Sequence, residues 1–199
     1  MPNGWFQRWY LKDLLRFLPN AITTLRIGLT PWIAAAILRH EFANALWLCA
    51  AAGVTDGLDG WTARHFGWKS RLGAYLDPVS DKLLLVTVYV TLALAGAAPC
   101  WLVGLVLGRD VLILLAVGAA LAFTRLRDFP PSFWGKLSTT VQICSAVDFM
   151  AARVWPHSLF ETLVPLGVAL TAACTLWSGL HYAVSGWRRL RSSRPAARV

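Results

Sequence analysis

Four aspartates lie within a stretch of 26 residues, in two pairs at helical spacing. Asp56 and Asp59 are three residues apart and Asp77 and Asp81 are four apart, so each pair shares one face of a helix. Four neighbouring carboxylates repel one another and are costly to desolvate, so such a cluster requires cations. Oxygen ligands without His or Cys favour Mg²⁺ or Mn²⁺. The sequence therefore predicts a site for two divalent metal ions, which is typical of substitution at phosphorus.

Small residues and one arginine accompany these aspartates. At 100° per residue, Gly60 and Ala63 fall within about 60° of Asp56 on the helix surface. With Gly73, they would let a ligand approach the backbone, and Arg64 could then face a diphosphate. One alternative is a divalent-cation transporter that uses the same acids. Another is a membrane structural protein whose basic faces bind anionic lipid and whose function does not depend on the acids. Two acids at one end of each helix form a site more readily than a path across a membrane, so transport is the distant alternative.

The elements that position these residues are predicted to be membrane helices. Of 199 residues, 57% are hydrophobic and 15% charged, whereas soluble domains average roughly 45–50% and about 25%. The net charge of +9 does not indicate a nucleic-acid partner, because nucleic-acid-binding proteins are less apolar. The fold class expected is all-α, with six transmembrane helices. Their approximate ranges are 20–38, 43–64, 75–97, 100–123, 137–155 and 161–186.

The ends of the chain are predicted to lie outside this membrane domain, which spans 20–186. Residues 1–19 mix aromatic and basic residues, which predicts an amphipathic helix at the membrane interface. Residues 187–199 form a basic tail. With the N-terminus inside, the inner segments hold fourteen Lys and Arg residues against two outside, so both termini and the aspartates are expected on the cytoplasmic side.

The aspartate stretch resembles the signature of the CDP-alcohol phosphatidyltransferases. All eight motif positions match, in the order Asp56-x2-Asp59-Gly60-x2-Ala63-Arg64-x8-Gly73-x3-Asp77-x3-Asp81. The run from Pro19 to Arg26 resembles the first-helix segment of the family. The run from Gly135 to Gln142 resembles its phosphatidylglycerophosphate synthase and CMP-forming cardiolipin synthase branches. The likeness extends over roughly residues 18–185.

The resemblance implies an enzyme that transfers a phosphatidyl group from CDP-diacylglycerol to an alcohol and releases CMP. It implies that Asp56, Asp59 and Asp77 hold the two metal ions. Asp81 would complete the metal site and act as the general base on the acceptor hydroxyl. The residues that would contact the CDP moiety are Gly60, Ala63, Arg64, Gly73 and Thr23. A homodimer among membrane lipids is also expected, in a bacterial plasma membrane rather than the mitochondrial inner membrane.

Two basic residues outside the motif bear on the acceptor. Arg109 lies within the fourth helix and Lys136 at the start of the fifth, and both would suit an anionic phosphate. Arg109 could instead pair with Asp110, and Lys136 could extend to the membrane interface. The acceptor is then phosphatidylglycerol, giving cardiolipin, or glycerol 3-phosphate, giving phosphatidylglycerophosphate. Arg109-Asp110 followed by Val-Leu-Ile resembles the cardiolipin synthase branch. Phosphatidylglycerol is therefore the acceptor that the sequence favours.

Overall fold

Six α-helices make up most of the part of the chain that the structure describes. The computed structural model describes the backbone of residues 24–66, 71–123 and 133–192, and the side chains of 24–57, 77–116, 118 and 133–186. The helices are α1 (Thr24–Leu38), α2 (Phe42–Phe66), α3 (Arg71–Leu94), α4 (Cys100–Phe123), α5 (Phe133–Val154) and α6 (Ser158–Ser192). Each corresponds to one predicted segment, so the all-α class and the six helices are confirmed. The predicted interfacial helix at 1–19 lies outside the described residues.

The helices fall into two units, α1–α3 up to Ala95 and α4–α6 from Gly96. In the second unit α6 packs against both α4 and α5. The helix α3 begins at Arg71, four residues before the predicted segment, so Gly73 is helical. The helix α6 continues through Ser192, so the first part of the predicted basic tail extends this helix. The proposed division of the chain at residues 19 and 186 stays a prediction.

A Schellman turn ends α1 and positions the start of α2. His40 adopts a left-handed backbone conformation, with φ of 60°. Its N–H bonds to the carbonyl of Ile37 at 2.9 Å, and the N–H of Glu41 bonds to the carbonyl of Ala36 at 2.9 Å. These two bonds satisfy carbonyls that the end of the helix leaves without partners. The chain therefore reverses within three residues between α1 and α2.

Capping residues also define the end of α3 and the starts of α4 and α6. Gly96, with φ of 67°, follows α3 in the conformation that glycine adopts without strain. The carbonyl of Pro99 accepts bonds from the N–H groups of Leu102 and Val103 at the start of α4. His157 precedes α6, and its Nδ1 accepts the N–H of Leu159 at 3.2 Å. These caps place the helix ends close to where the charge and turn signals predicted them.

Many apolar side chains of the helices are exposed, and a group of polar side chains is buried. Trp32, Trp47 and Leu94 are each at least 70% exposed. Small polar residues lie at the α5–α6 interface and are 0–3% exposed: Ser138, Gln142, Ser145, Thr171, Thr175 and Ser178. Tyr89, Leu92 and Phe149 are among the apolar side chains that are also buried, so the described interior combines apolar and polar side chains.

One helix among the described residues, Ser158–Gly186, is long and apolar enough to cross a membrane by length and composition. The structure therefore supports one membrane span by these criteria, whereas the sequence predicted six. The described residues thus form an all-helical structure with one clearly apolar candidate span.

Candidate active site

A buried arginine of the first helix joins two of the predicted metal ligands. Arg26 lies in α1 with its side chain 2% exposed. Its Nη2 donates to Oδ1 of Asp56 in α2, and its Nη1 donates to Oδ1 of Asp81 in α3. Both contacts are ion pairs. The guanidinium therefore brings together carboxylates from two helices whose residues are 25 positions apart in the sequence.

Neighbouring hydroxyl groups support this cluster. Ser80 is buried, lies 3.4 Å from Nη1 of Arg26, and donates to the backbone carbonyl of Asp77 at 2.9 Å. Thr30 is also buried and donates to the carbonyl of Arg26 at 2.9 Å. The Asp56 and Asp81 side chains remain 51% and 53% exposed. The carboxylates thus contact a buried cation on one side and keep about half of their surface open to a ligand.

The remaining motif residues are placed along the same two helices. Asp59, Gly60, Ala63 and Arg64 follow Asp56 in α2, and Gly73 precedes Asp77 in α3. The side chains of Asp59, Ala63 and Arg64 lie outside the described residues, and so does Thr23 altogether. The roles predicted for these residues remain predictions.

The donor chemistry of the cluster fits divalent metal ions. Asp56, Asp77 and Asp81 offer only oxygen atoms, which Mg²⁺ and Mn²⁺ prefer. Arg26 brings two of these carboxylates to one point, and both are open to a ligand on their exposed side. Within the described side chains, no three of His, Cys, Asp or Glu lie close enough together to hold a metal ion. Asp56, Asp77 and Asp81, whose side chains are described, are thus not brought together as a three-ligand site, and the fourth predicted ligand, Asp59, has a side chain outside the described residues.

In the second unit, Arg109 of α4 is held by three neighbours. Its side chain is 10% exposed, and its Nη1 donates to Oδ1 of Asp110 at 2.9 Å. Its Nη2 donates to the hydroxyl of Ser178 in α6, and its guanidinium carbon lies 5.8 Å from the centre of the Tyr182 ring. The pairing with Asp110 that the sequence left as an alternative is present. These contacts fix the guanidinium in place, so acceptor binding by Arg109 would have to use this fixed orientation.

Lys136 lies in the first turn of α5 with an exposed side chain. Farther along α5, Gln142 bonds to Ser138 at 3.3 Å and reaches Thr175 of α6 at 3.4 Å. Ser145 donates to the carbonyl of Gly167 at 3.2 Å and accepts a hydrogen bond from Thr171 at 2.8 Å. Side chains of Ser, Thr and Gln commonly join two helices of an apolar chain by hydrogen bonds across their interface. They hold α5, and with it Lys136, against α6.

Sequence reasoning did not assign a role to Arg26. It noted this residue only as the end of a first-helix segment that resembles the family, and it assigned no role to Ser178 or Tyr182. One signal was present, because an arginine within an apolar helix requires a counter-ion. The sequence contains several acids that could be the counter-ion of Arg26. Their spacing along the chain does not show which of them contacts an arginine of another helix.

Comparison with known proteins extends these observations. The model of the family described as CDP-alcohol phosphatidyltransferase matches residues 16–177, which include Arg26 and every aspartate of the motif. A cardiolipin synthase (CMP-forming) of Rattus norvegicus is 33% identical over 187 residues, covering 83% of this chain and 61% of the rat protein. A cardiolipin synthase (CMP-forming) of Streptomyces coelicolor is 34% identical over 136 residues, covering 64% of this chain and 61% of that protein.

A probable phosphatidylglycerophosphate synthase of Mycobacterium tuberculosis is 29% identical over 186 residues, covering 90% of this chain and 86% of that protein. The chain thus spans about three fifths of the length of the rat relative and most of the mycobacterial one. The family match covers well over half of the chain and contains the complete aspartate motif. The chain belongs to the CDP-alcohol phosphatidyltransferase family.

Proposed function

We propose that this chain transfers a phosphatidyl group from CDP-diacylglycerol to an anionic glycerol-type acceptor, with release of CMP. The observation that carries the proposal is the meeting of Asp56 and Asp81 of the family motif at Arg26. It supports a common site for the two halves of the motif, which come from different helices. Phosphatidylglycerol is the favoured acceptor, and the product is then cardiolipin.

The enzyme is proposed to lie in a membrane with six spanning helices. The helices α2 to α5 have 22–25 residues, which correspond to about 33–38 Å and match a hydrocarbon core of about 30 Å. The exposed apolar surface and the buried Ser, Thr and Gln residues support the same conclusion, because lipid solvates apolar side chains and does not solvate polar ones.

Exposed tryptophans near the helix ends support the proposed topology. Trp47 lies near the start of α2, Trp101 at the start of α4 and Trp155 directly after α5, and all three are at least 59% exposed. Tryptophan concentrates where lipid meets water. In the proposed topology these three ends face the outer side of the membrane, and the motif aspartates face the cytoplasm. A bacterial plasma membrane is the proposed location, and the homodimer stays a prediction.

The four motif aspartates are proposed to hold two divalent ions, Mg²⁺ or Mn²⁺. When bound, such ions neutralise the carboxylates and stabilise the charge on the diphosphate. The buried Arg26 would then leave the site with a formal charge of +1, which favours an anionic nucleotide substrate. Gly60, Ala63 and Gly73 would let the CDP moiety approach the helix backbone, while Arg64 would pair with its diphosphate.

Asp81 is proposed as the general base. A carboxylate oxygen of Asp81 would accept the proton of the acceptor hydroxyl as the hydroxyl oxygen attacks the lipid-side phosphorus. The bond between that phosphorus and the bridging oxygen of the diphosphate breaks, and CMP leaves with the electron pair. The ion pair with Arg26 orients Asp81, while its exposed half remains accessible to the acceptor.

The second candidate acceptor is glycerol 3-phosphate. The observation that favours it is the mycobacterial relative, because this chain covers 86% of that protein and only 61% of the rat cardiolipin synthase. Both acceptors carry a phosphate that Lys136, with its exposed side chain, could bind together with Arg109.

Acceptor competition tests the proposal. The purified protein in lipid nanodiscs would receive labelled CDP-diacylglycerol with phosphatidylglycerol, glycerol 3-phosphate or inositol phosphate, and the labelled lipid would be identified. We expect labelled cardiolipin from phosphatidylglycerol. Labelled phosphatidylglycerophosphate would select the second candidate, and absence of CMP release with every acceptor would refute the transferase assignment.

A further inference from the structure

We propose that Arg26 is a positioning residue for the metal site: its guanidinium holds Asp56 of α2 and Asp81 of α3 in place to receive divalent cations. The inference rests on the proposed function, because it assumes that these aspartates bind metal. It goes beyond that function by assigning a role to a residue of α1, which contributes no carboxylate to the predicted site.

Each of the two carboxylates can bond to Arg26 and still offer oxygen to a metal ion. Arg26 bonds to Oδ1 of Asp56 and Oδ1 of Asp81, and about half of each side chain remains exposed. One side of each carboxylate is thus held by the protein while the other stays open. Ligating carboxylates are usually held by such a second set of hydrogen bonds, which fixes their orientation before the metal arrives.

Arginine is the side chain suited to this role. Its planar guanidinium presents several N–H groups in a rigid fork, and here two of its nitrogens reach two different helices. The side chain is 2% exposed, so it cannot turn away into water. Lysine would preserve the charge but would offer a single ammonium group, which cannot reproduce two diverging contacts.

Positioning and competition predict opposite changes in metal affinity. A positive charge beside the ligands repels a divalent cation, so an arginine that only competed with metal would lower its affinity. Removing such a residue would strengthen binding. Removing a positioning residue weakens binding, because the two ligands then lose the contacts that orient them.

The test is Mn²⁺ binding, followed by electron paramagnetic resonance with the full chain in nanodiscs and without nucleotide. We expect Arg26→Gln to weaken Mn²⁺ binding by about 10–100-fold, and Arg26→Lys by about 10-fold. Arg39→Gln is the matched control, because Arg39 follows α1 and its side chain is exposed. The Mn²⁺ affinity of this variant should equal that of the wild type. Equal or tighter binding by both Arg26 variants would overturn the inference.

Two further comparisons complete the design. Arg26→Lys retains the buried charge, so it decides the outcome if Arg26→Gln does not fold. Asp56→Asn separates this inference from the proposed function. If the wild type binds no more Mn²⁺ than Asp56→Asn, the metal site itself is refuted and the inference with it. If Asp56→Asn alone loses binding while the Arg26 variants bind like the wild type, only the role of Arg26 is refuted.

Discussion

Replacing Arg109 with methionine should destabilise the protein, and replacing Asp110 as well should restore much of the loss. The two side chains are 10% and 7% exposed and form an ion pair of 2.9 Å within α4. Arg109→Met keeps a long side chain at this position but removes the cation beside a buried carboxylate. The prediction therefore tests whether Arg109 stabilises the second unit in addition to any contact with the acceptor.

The magnitude follows from the burial of the pair. Removing one partner of a buried ion pair costs about 3–5 kcal/mol, because the remaining charge stays buried. The lost bond to Ser178 contributes about 1 kcal/mol, the usual net worth of a hydrogen bond. Replacing both charges with apolar side chains is often neutral. Arg109→Met/Asp110→Leu should thus recover most of the stability that Arg109→Met loses.

The assay is reversible unfolding in mixed micelles by titration with sodium dodecyl sulfate. Arg109→Met, Asp110→Leu and the double variant complete the cycle, and Arg39→Met is the exposed control, expected within about 0.5 kcal/mol of the wild type. Additive losses in the double variant would refute the coupling of the two charges. A KM for the acceptor that stays raised in the recovered double variant would indicate that Arg109 also binds the acceptor.

Two further predictions concern catalysis and helix packing. Asp81→Asn should lower CMP release by about 10²–10⁴-fold, and removal of divalent ions by EDTA should abolish release until Mn²⁺ or Mg²⁺ is restored. Asp148→Asn is the matched control, and comparable activity of both variants would contradict the assigned base. A side chain at Gly167 would lie 3.3 Å from the hydroxyl of Ser145, so Gly167→Val should destabilise the protein by about 1–3 kcal/mol relative to Gly104→Val, where the space is open. Equal stabilities of these two glycine variants in the same unfolding assay would show that α5 and α6 do not pack closely there.

The sequence by itself predicted the helices and the spacing of the motif. Apolar runs bounded by charged or turn residues indicated six segments, and each corresponds to a helix whose described ends lie within a few residues of the prediction. Local rules suffice here, because the hydrogen bonds of a helix and its caps join residues close together in the chain. The same periodicity placed Asp56 with Asp59 and Asp77 with Asp81. The family resemblance followed from these aspartates, the Gly, Ala and Arg positions between them, and two further runs of the sequence.

Only the tertiary structure decided which side chains of different helices meet. Arg26 reaches acids 30 and 55 positions away, and Arg109 reaches Ser178 across 69 positions. Helix periodicity identifies the residues that share a face but does not say which face packs against which neighbour. For Arg109 the sequence left open an acceptor phosphate or a pair with Asp110. The structure shows the pair within α4, and packing of α4 against α6 adds the bond to Ser178. The identity of the partner matters most for buried charges. A buried charge is costly unless it is paired, so its partner must come from a residue that packs beside it.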